Sequence, residues 1–203
     1  VVYYLDILPV SIIRFALFVP FAFYWTPAMD HWNVILDHEE LRNGTFGSAI
    51  PAGEQVAASW SRFGFFWNFA AWLPCFYFRP PLNLPFAVMD SIITVYIAIA
   101  THLQTAYTPH HKSHCGDAHS WQRPSNATES FFEAAARLNA TATSPEHMCV
   151  TFVEEWQYGV SISWVSPMLS FRRLTFPVSY IPSSLWLSCL LSASHFAISD
   201  VNV

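Results

Sequence analysis

Residues 3–25 read YYLDILPVSIIRFALFVPFAFYW and residues 87–100 read AVMDSIITVYIAIA. Both are apolar almost without a break, and they decide the fold class. At about 1.5 Å of rise per residue, a helix of roughly 23 residues reaches about 35 Å, enough for a hydrocarbon core of about 30 Å. The first stretch is interrupted by Asp6, Pro9, Arg14 and Pro20, and the second, the centre of a longer segment over residues 82–107, by Asp90 alone. Between them residues 63–78, FGFFWNFAAWLPCFYF, form a shorter block that residues 59–62 extend, with Arg62 reaching the interface by its long stem. A fourth segment starts near Tyr158 and runs to Phe171, where Arg172 and Arg173 are expected to stop it. The reading is an all-α transmembrane four-helix bundle occupying residues 1–173. Residues 174–203 form a Ser- and Leu-rich apolar tail of uncertain placement.

Composition agrees. The chain is 53% hydrophobic and 11% charged, with 18 Phe and 9 Trp, whereas a soluble domain carries about a quarter charged residues. The apolar residues fall in long blocks and the charges gather between them. A net charge of −5 without a Lys/Arg run argues against a nucleic-acid partner and leaves the lipid bilayer as the expected one. The sequence begins Val-Val-Tyr-Tyr with no Met, as expected of a fragment.

Charge also predicts orientation. The link at Arg79-Pro80-Pro81 carries a cation and no acid, and Arg172-Arg173 lies at the matching end of segment four, so both are expected in the cytoplasm. Connections 27–61 and 108–156 are acidic and are expected outside, at the plasma membrane or in the secretory pathway. The glycosylation sequons at Asn43, Asn126 and Asn139 all fall in these two connections.

The longer connection has signals of its own structure. Cys75 and Cys189 sit in apolar segments and read as buried thiols, whereas Cys115 and Cys149 share the outer loop, where oxidation is permitted. They are predicted to pair and to close a helical cap. Residues 129–138, ESFFEAAARL, place Phe131, Phe132, Ala135 and Leu138 at helical spacing, with Thr128 as the expected cap. Ser144-Pro145-Glu146 reads as an N-cap, a first-turn proline and a first-turn acid, which predicts that the fourth span begins outside the membrane as one long helix.

Candidate sites are few. Arg14 and Asp90 lie at comparable depth in parallel spans, and a charge inside a span faces a partner or a cavity. They are read as an intramembrane ion pair that fixes packing, in preference to an ion or proton path. His110, His111, His114 and His119 resemble a metal-ligand cluster, but with Cys115 assigned to a disulfide the preferred reading is a solvated linker and no metal. Asp37-His38-Glu39-Glu40 reads as a solvated loop. No nucleophile–base pattern, nucleotide loop or paired catalytic carboxylates emerge, so no cofactor is expected.

The stretch from Ser130 to Asn139, followed by Ser144-Pro145, Cys149, Phe152-Val153-Glu154-Glu155-Trp156-Gln157-Tyr158-Gly159, resembles small four-span fungal membrane proteins of MARVEL-like type. The resemblance covers residues 3–165, with its specific part at 115–160. It implies a non-enzymatic role in membrane organisation, in microdomains or vesicle trafficking, through self-association or other membrane proteins. No catalytic residue carries over. Beyond Ser163 the pattern departs from that family, and the tail reads as a translated intron. Two alternatives stand beside this reading. One is a small transporter or channel using Arg14, Asp90 and His102. The other is a metal-binding membrane enzyme using the 110–119 histidines.

Overall fold

The computed structural model describes residues 2–74, 84–125, 127–139 and 144–175. They form α1 (Val2–Asp37), α2 (Glu39–Arg42), α3 (Ala49–Trp72), α4 (Leu84–Thr105), a 3₁₀ turn (Lys112–Asp117), α5 (Phe131–Leu138) and α6 (Pro145–Thr175). The four long helices pack in a ring, α1 against α3, α3 against α4, α4 against α6 and α6 against α1. At one level Arg14 meets Asn68 and Asp90; at another, Gln104 meets Glu54 and Glu155, and His31 meets Glu155. Residue numbers therefore rise along α1 and α4 and fall along α3 and α6 between these levels. This is the up-down-up-down bundle topology, with α1 and α4 parallel across the diagonal.

The buried positions of α1 are Ser11, Arg14, Leu17, Phe21, Tyr24, Ala28, His31 and Ile35. They alternate in steps of three and four, the spacing that keeps one seam of a helix facing a bundle core. Pro20 and Pro27 stand off that seam and do not end the helix. Prolines inside helices are tolerated where neighbouring helices support the backbone. The expectation that span one ends near Trp25 and gives way to a connection is corrected: α1 runs three turns further, to Asp37. Ala28, His31 and Ile35 bury there and supply the packing that propagates the helix.

α3 inverts the usual pattern. Its buried face is Ile50, Gly53, Glu54, Ala57, Ala58, Ser61, Gly64, Asn68 and Ala71, and its Phe63, Phe66 and Phe69, with Leu73 just past its end, are exposed. The small residues let backbones approach closely. A Cβ on Gly64 would lie 2.5 Å from the Phe21 ring, and one on Gly159 of α6 would lie 2.6 Å from Thr101 Oγ1. Ile12, Phe15, Val19 and Phe23 of α1, Leu84, Val88, Ile92, Val95 and Ile99 of α4, and Trp164 and Val165 of α6 complete an exposed apolar belt. Segments Ser11–Asp37 and Leu84–Thr105 are each long and apolar enough to cross a membrane.

The other end of the bundle carries the cap. Cys115 of the 3₁₀ turn is bonded to Cys149 of α6, as read from the sequence. Phe131 and Phe132 of α5 pack on Phe152 beneath it. The cap of α5 is Ser130, not Thr128: Ser130 Oγ accepts from the Glu133 amide at 3.2 Å while Glu133 Oε2 accepts from the Ser130 amide at 2.8 Å. This reciprocal pair satisfies two donors that Thr128 cannot reach together. Ser144 Oγ accepts from the His147 amide at 3.1 Å and starts α6 at Pro145 as its spacing predicts. The expected solvated loop at 37–40 is partly helical, and Glu40 meets Arg137 of α5 at 2.5 Å. Cys75, Arg79 and residues 176–203 lie outside the described residues, as does the side chain of Asp6.

Candidate functional site

Two polar layers cross the centre of the bundle. In the first, Arg14 is 1% exposed and pairs with Asp90 through Nη2. Its Nη1 donates to Asn68 Oδ1 at 3.1 Å, and Asn68 Nδ2 donates back to the Arg14 carbonyl at 2.8 Å. Trp67 Nε1 donates to Asp90 Oδ1 at 2.9 Å. Because α1 and α4 are diagonal, the guanidinium crosses the middle of the bundle to Asp90, and through Asn68 it also ties α1 to the adjacent α3. A cavity of about 20 Å³ adjoins the pair, room for a single water and little else.

The second layer lies about 25 Å further along α1 at roughly 1.5 Å per residue. It takes one side chain from each long helix: His31, Glu54, Gln104 and Glu155, exposed by 3%, 0%, 1% and 0%. His31 Nδ1 is 2.6 Å from Glu155 Oε2, and His31 Nε2 is 3.1 Å from Thr151 Oγ1. The imidazole stacks on Phe152 with centroids 3.8 Å apart and planes 4° from parallel. The Gln104 amide nitrogen forks, donating to Glu54 Oε1 at 3.1 Å and to Glu155 Oε1. Tyr107 donates its hydroxyl to Glu54 Oε1.

Both glutamates lie beyond the exposed apolar belt, two turns or more from Phe63 on α3 and Trp164 on α6. Burial, with Glu155 close by, raises the Glu54 carboxyl to about 8, and burial likewise raises Glu155 to about 8 despite the hydrogen bond from Gln104. Removing a carboxylate from water disfavours its charged form. Two cations of the cap are engaged elsewhere, Lys112 with Glu154 and Arg137 with Glu40 and Glu129.

Between the two layers lie the buried Leu17, Phe21, Ile93, Ile97 and Ile162, with the buried Tyr24, Ser61 and Thr101 among them. His102, a candidate for a polar path, is exposed on α4. The 110–119 histidines are exposed, as a solvated linker predicts, although Lys112–Asp117 forms a 3₁₀ turn; the His111 and His114 rings lie 5.9 Å apart, and the four do not converge on one point. His110 faces Trp156, His114 stacks near Trp121, and His119 Nδ1 bonds Glu133 Oε1 at 2.7 Å. Asn43 is exposed at the end of α2, Asn139 is half-buried at the end of α5, and Asn126 lies outside the described residues.

Sequence reasoning missed the second layer. His31 and Glu54 fell in the presumed 27–61 connection and Glu155 in the presumed 108–156 connection, where solvation explains polar residues. One signal was available: the three-and-four spacing through Arg14, Leu17, Phe21, Tyr24 and Ala28 reaches His31. No family model, curated protein or solved structure matches the chain.

Proposed function

We propose that the chain is a four-span integral membrane protein with a folded outer cap, serving membrane organisation rather than catalysis, in the manner of the MARVEL-like proteins it resembles in sequence. The observation that carries the membrane reading is the inverted burial of α3, small residues inward and Phe63, Phe66 and Phe69 outward. In water this arrangement would leave an apolar belt larger than the few hundred Å² that soluble monomers expose. In lipid it is the arrangement that close helix packing favours. The charge pattern places Arg79 and Arg172-Arg173 in the cytoplasm and the cap outside, in the secretory pathway or at the plasma membrane. An organising role is supported by the first polar layer, where Arg14, Asn68, Trp67 and Asp90 engage one another, and by the mainly apolar packing above it. A transporter needs a polar route joining the two layers.

The test has two arms. The protein should resist alkaline extraction from native membranes, and mild cross-linking there should trap it in discrete assemblies. Proteoliposomes containing it should conduct ions and protons no faster than empty ones. Extraction by alkaline carbonate would sink the membrane reading, and flux abolished by Asp90→Asn would replace the organiser with a transporter.

A further inference from the structure

We propose that His31, Glu54 and Glu155 form a binding site for a divalent transition-metal cation of the zinc class, clamping α1, α3 and α6 beneath the cap. One ligand atom from each of the three residues lies within 4.8 Å of the others. A tetrahedral zinc with ligands at about 2.0–2.2 Å needs donors roughly 3.4 Å apart, so small side-chain rotations close the site.

The imidazole is already set for it. The Thr151 hydroxyl donates to the Met148 carbonyl at 2.7 Å, so its oxygen accepts from His31 Nε2, which carries the ring proton. Nδ1 then presents its lone pair toward the carboxylates. Fixing one ring nitrogen through a second hydrogen bond is how ligand histidines are oriented, and stacking on Phe152 removes the remaining freedom. The carboxylates are held in the same way. Gln104 and Tyr107 occupy the Oε1 atoms, while Glu54 Oε2, fully buried, has no hydrogen-bond partner. Gln104 Oε1 is a second buried atom without one. A pair of buried carboxylates with no Lys or Arg bonded to it requires either protons or a cation. Metal entry exchanges one for the other: protons held by the two carboxyls leave as Glu54, Glu155 and His31 Nδ1 become ligands. One imidazole and two carboxylates suit zinc, iron or manganese. The imidazole argues against magnesium and calcium, which take oxygen ligands throughout.

The experiment uses the full chain purified in detergent, stripped with chelator, then titrated with zinc and with cobalt. One equivalent of zinc per chain is expected, with X-ray absorption reporting a single imidazole and two or more oxygen donors. At free zinc about 100-fold above Kd, the folded-to-unfolded ratio should rise about 100-fold. Glu54→Gln and Glu155→Gln, nearly isosteric, should each weaken binding at least tenfold while keeping the disulfide and helical content. Wild-type protein that is folded yet retains no stoichiometric zinc or cobalt overturns the proposal. So does a bound metal ligated by two or more imidazoles, or one unaffected by both substitutions, since either would place it on the exposed 110–119 histidines. If a variant fails to fold, the wild-type stoichiometry and absorption data decide alone.

Discussion

Removing both members of the Arg14–Asp90 pair should destabilise the bundle by much less than the sum of removing each alone. In Asp90→Ala, the Arg14 guanidinium, 1% exposed, keeps only Asn68 Oδ1 as a side-chain acceptor at 3.1 Å, and Trp67 Nε1 loses its acceptor. Breaking a buried pair from one side costs about 3–5 kcal/mol, because the remaining charge stays desolvated. Arg14→Met leaves the Asp90 carboxylate with only the Trp67 donor at 2.9 Å and should cost a similar amount. The double variant Arg14→Met/Asp90→Leu strands neutral groups alone, Asn68 and Trp67, at about 1–3 kcal/mol each. Taking the middle of each range, the two singles sum to about 8 kcal/mol and the double costs about 4, so the singles should overestimate the double by about 4 kcal/mol, a factor of roughly 10³ in the unfolding constant. Unfolding in detergent followed by tryptophan fluorescence gives all four corners of the cycle, and Trp67 is a reporter at the site. Additivity within about 0.5 kcal/mol, the value found for independent sites, would show that the contact carries no energy and that the first layer does not fix the packing of α1 against α4.

Reduction of Cys115–Cys149, which are 34 residues apart, should cost about 3–4 kcal/mol on the chain-entropy model; thermal melts with and without reductant measure it, and intact protein should show neither thiol free to alkylate. Ser130→Ala should lower cap stability by about 1–2 kcal/mol, since it removes the acceptor for the Glu133 amide and the donor to the Ala118 carbonyl at 2.7 Å; hydrogen exchange of α5 amides reads it out. The His119 and Ser130 donors hold the Glu133 carboxyl below its ordinary range. Its contribution is thus complete above the unfolded carboxyl value and is lost as pH falls through the lower folded one, so α5 should begin to fray in acid, and Glu133→Gln should flatten that dependence. Gly64→Ala should cost about 1–3 kcal/mol, less the helix propensity gained, because its Cβ would sit 2.5 Å from the buried Phe21 ring; the neighbouring exposed Phe66→Ala should be close to neutral in detergent.

What the sequence settled by itself was local. The apolar lengths of α1 and α4 and the start of α6 at Ser144-Pro145 follow from signals within a few residues. The helical stripe of α5 is equally local, and the pairing of Cys115 with Cys149 needs only a count of the cysteines in one loop. The diagonal meeting of Arg14 with Asp90 was legible because similar depth in parallel spans is itself a sequence property. Tertiary structure alone decided the rest. α1 continues past Pro27 because its outer turns find partners in α6 and the cap, and α3 turns its small residues inward because helices on both sides press against them. The layer of His31, Glu54, Gln104 and Glu155 joins residues up to 124 positions apart. Spacing along a helix tells which residues share a face. Which faces meet, and at what height, depends on the rotation and offset of four helices at once, and those are fixed only when all four pack.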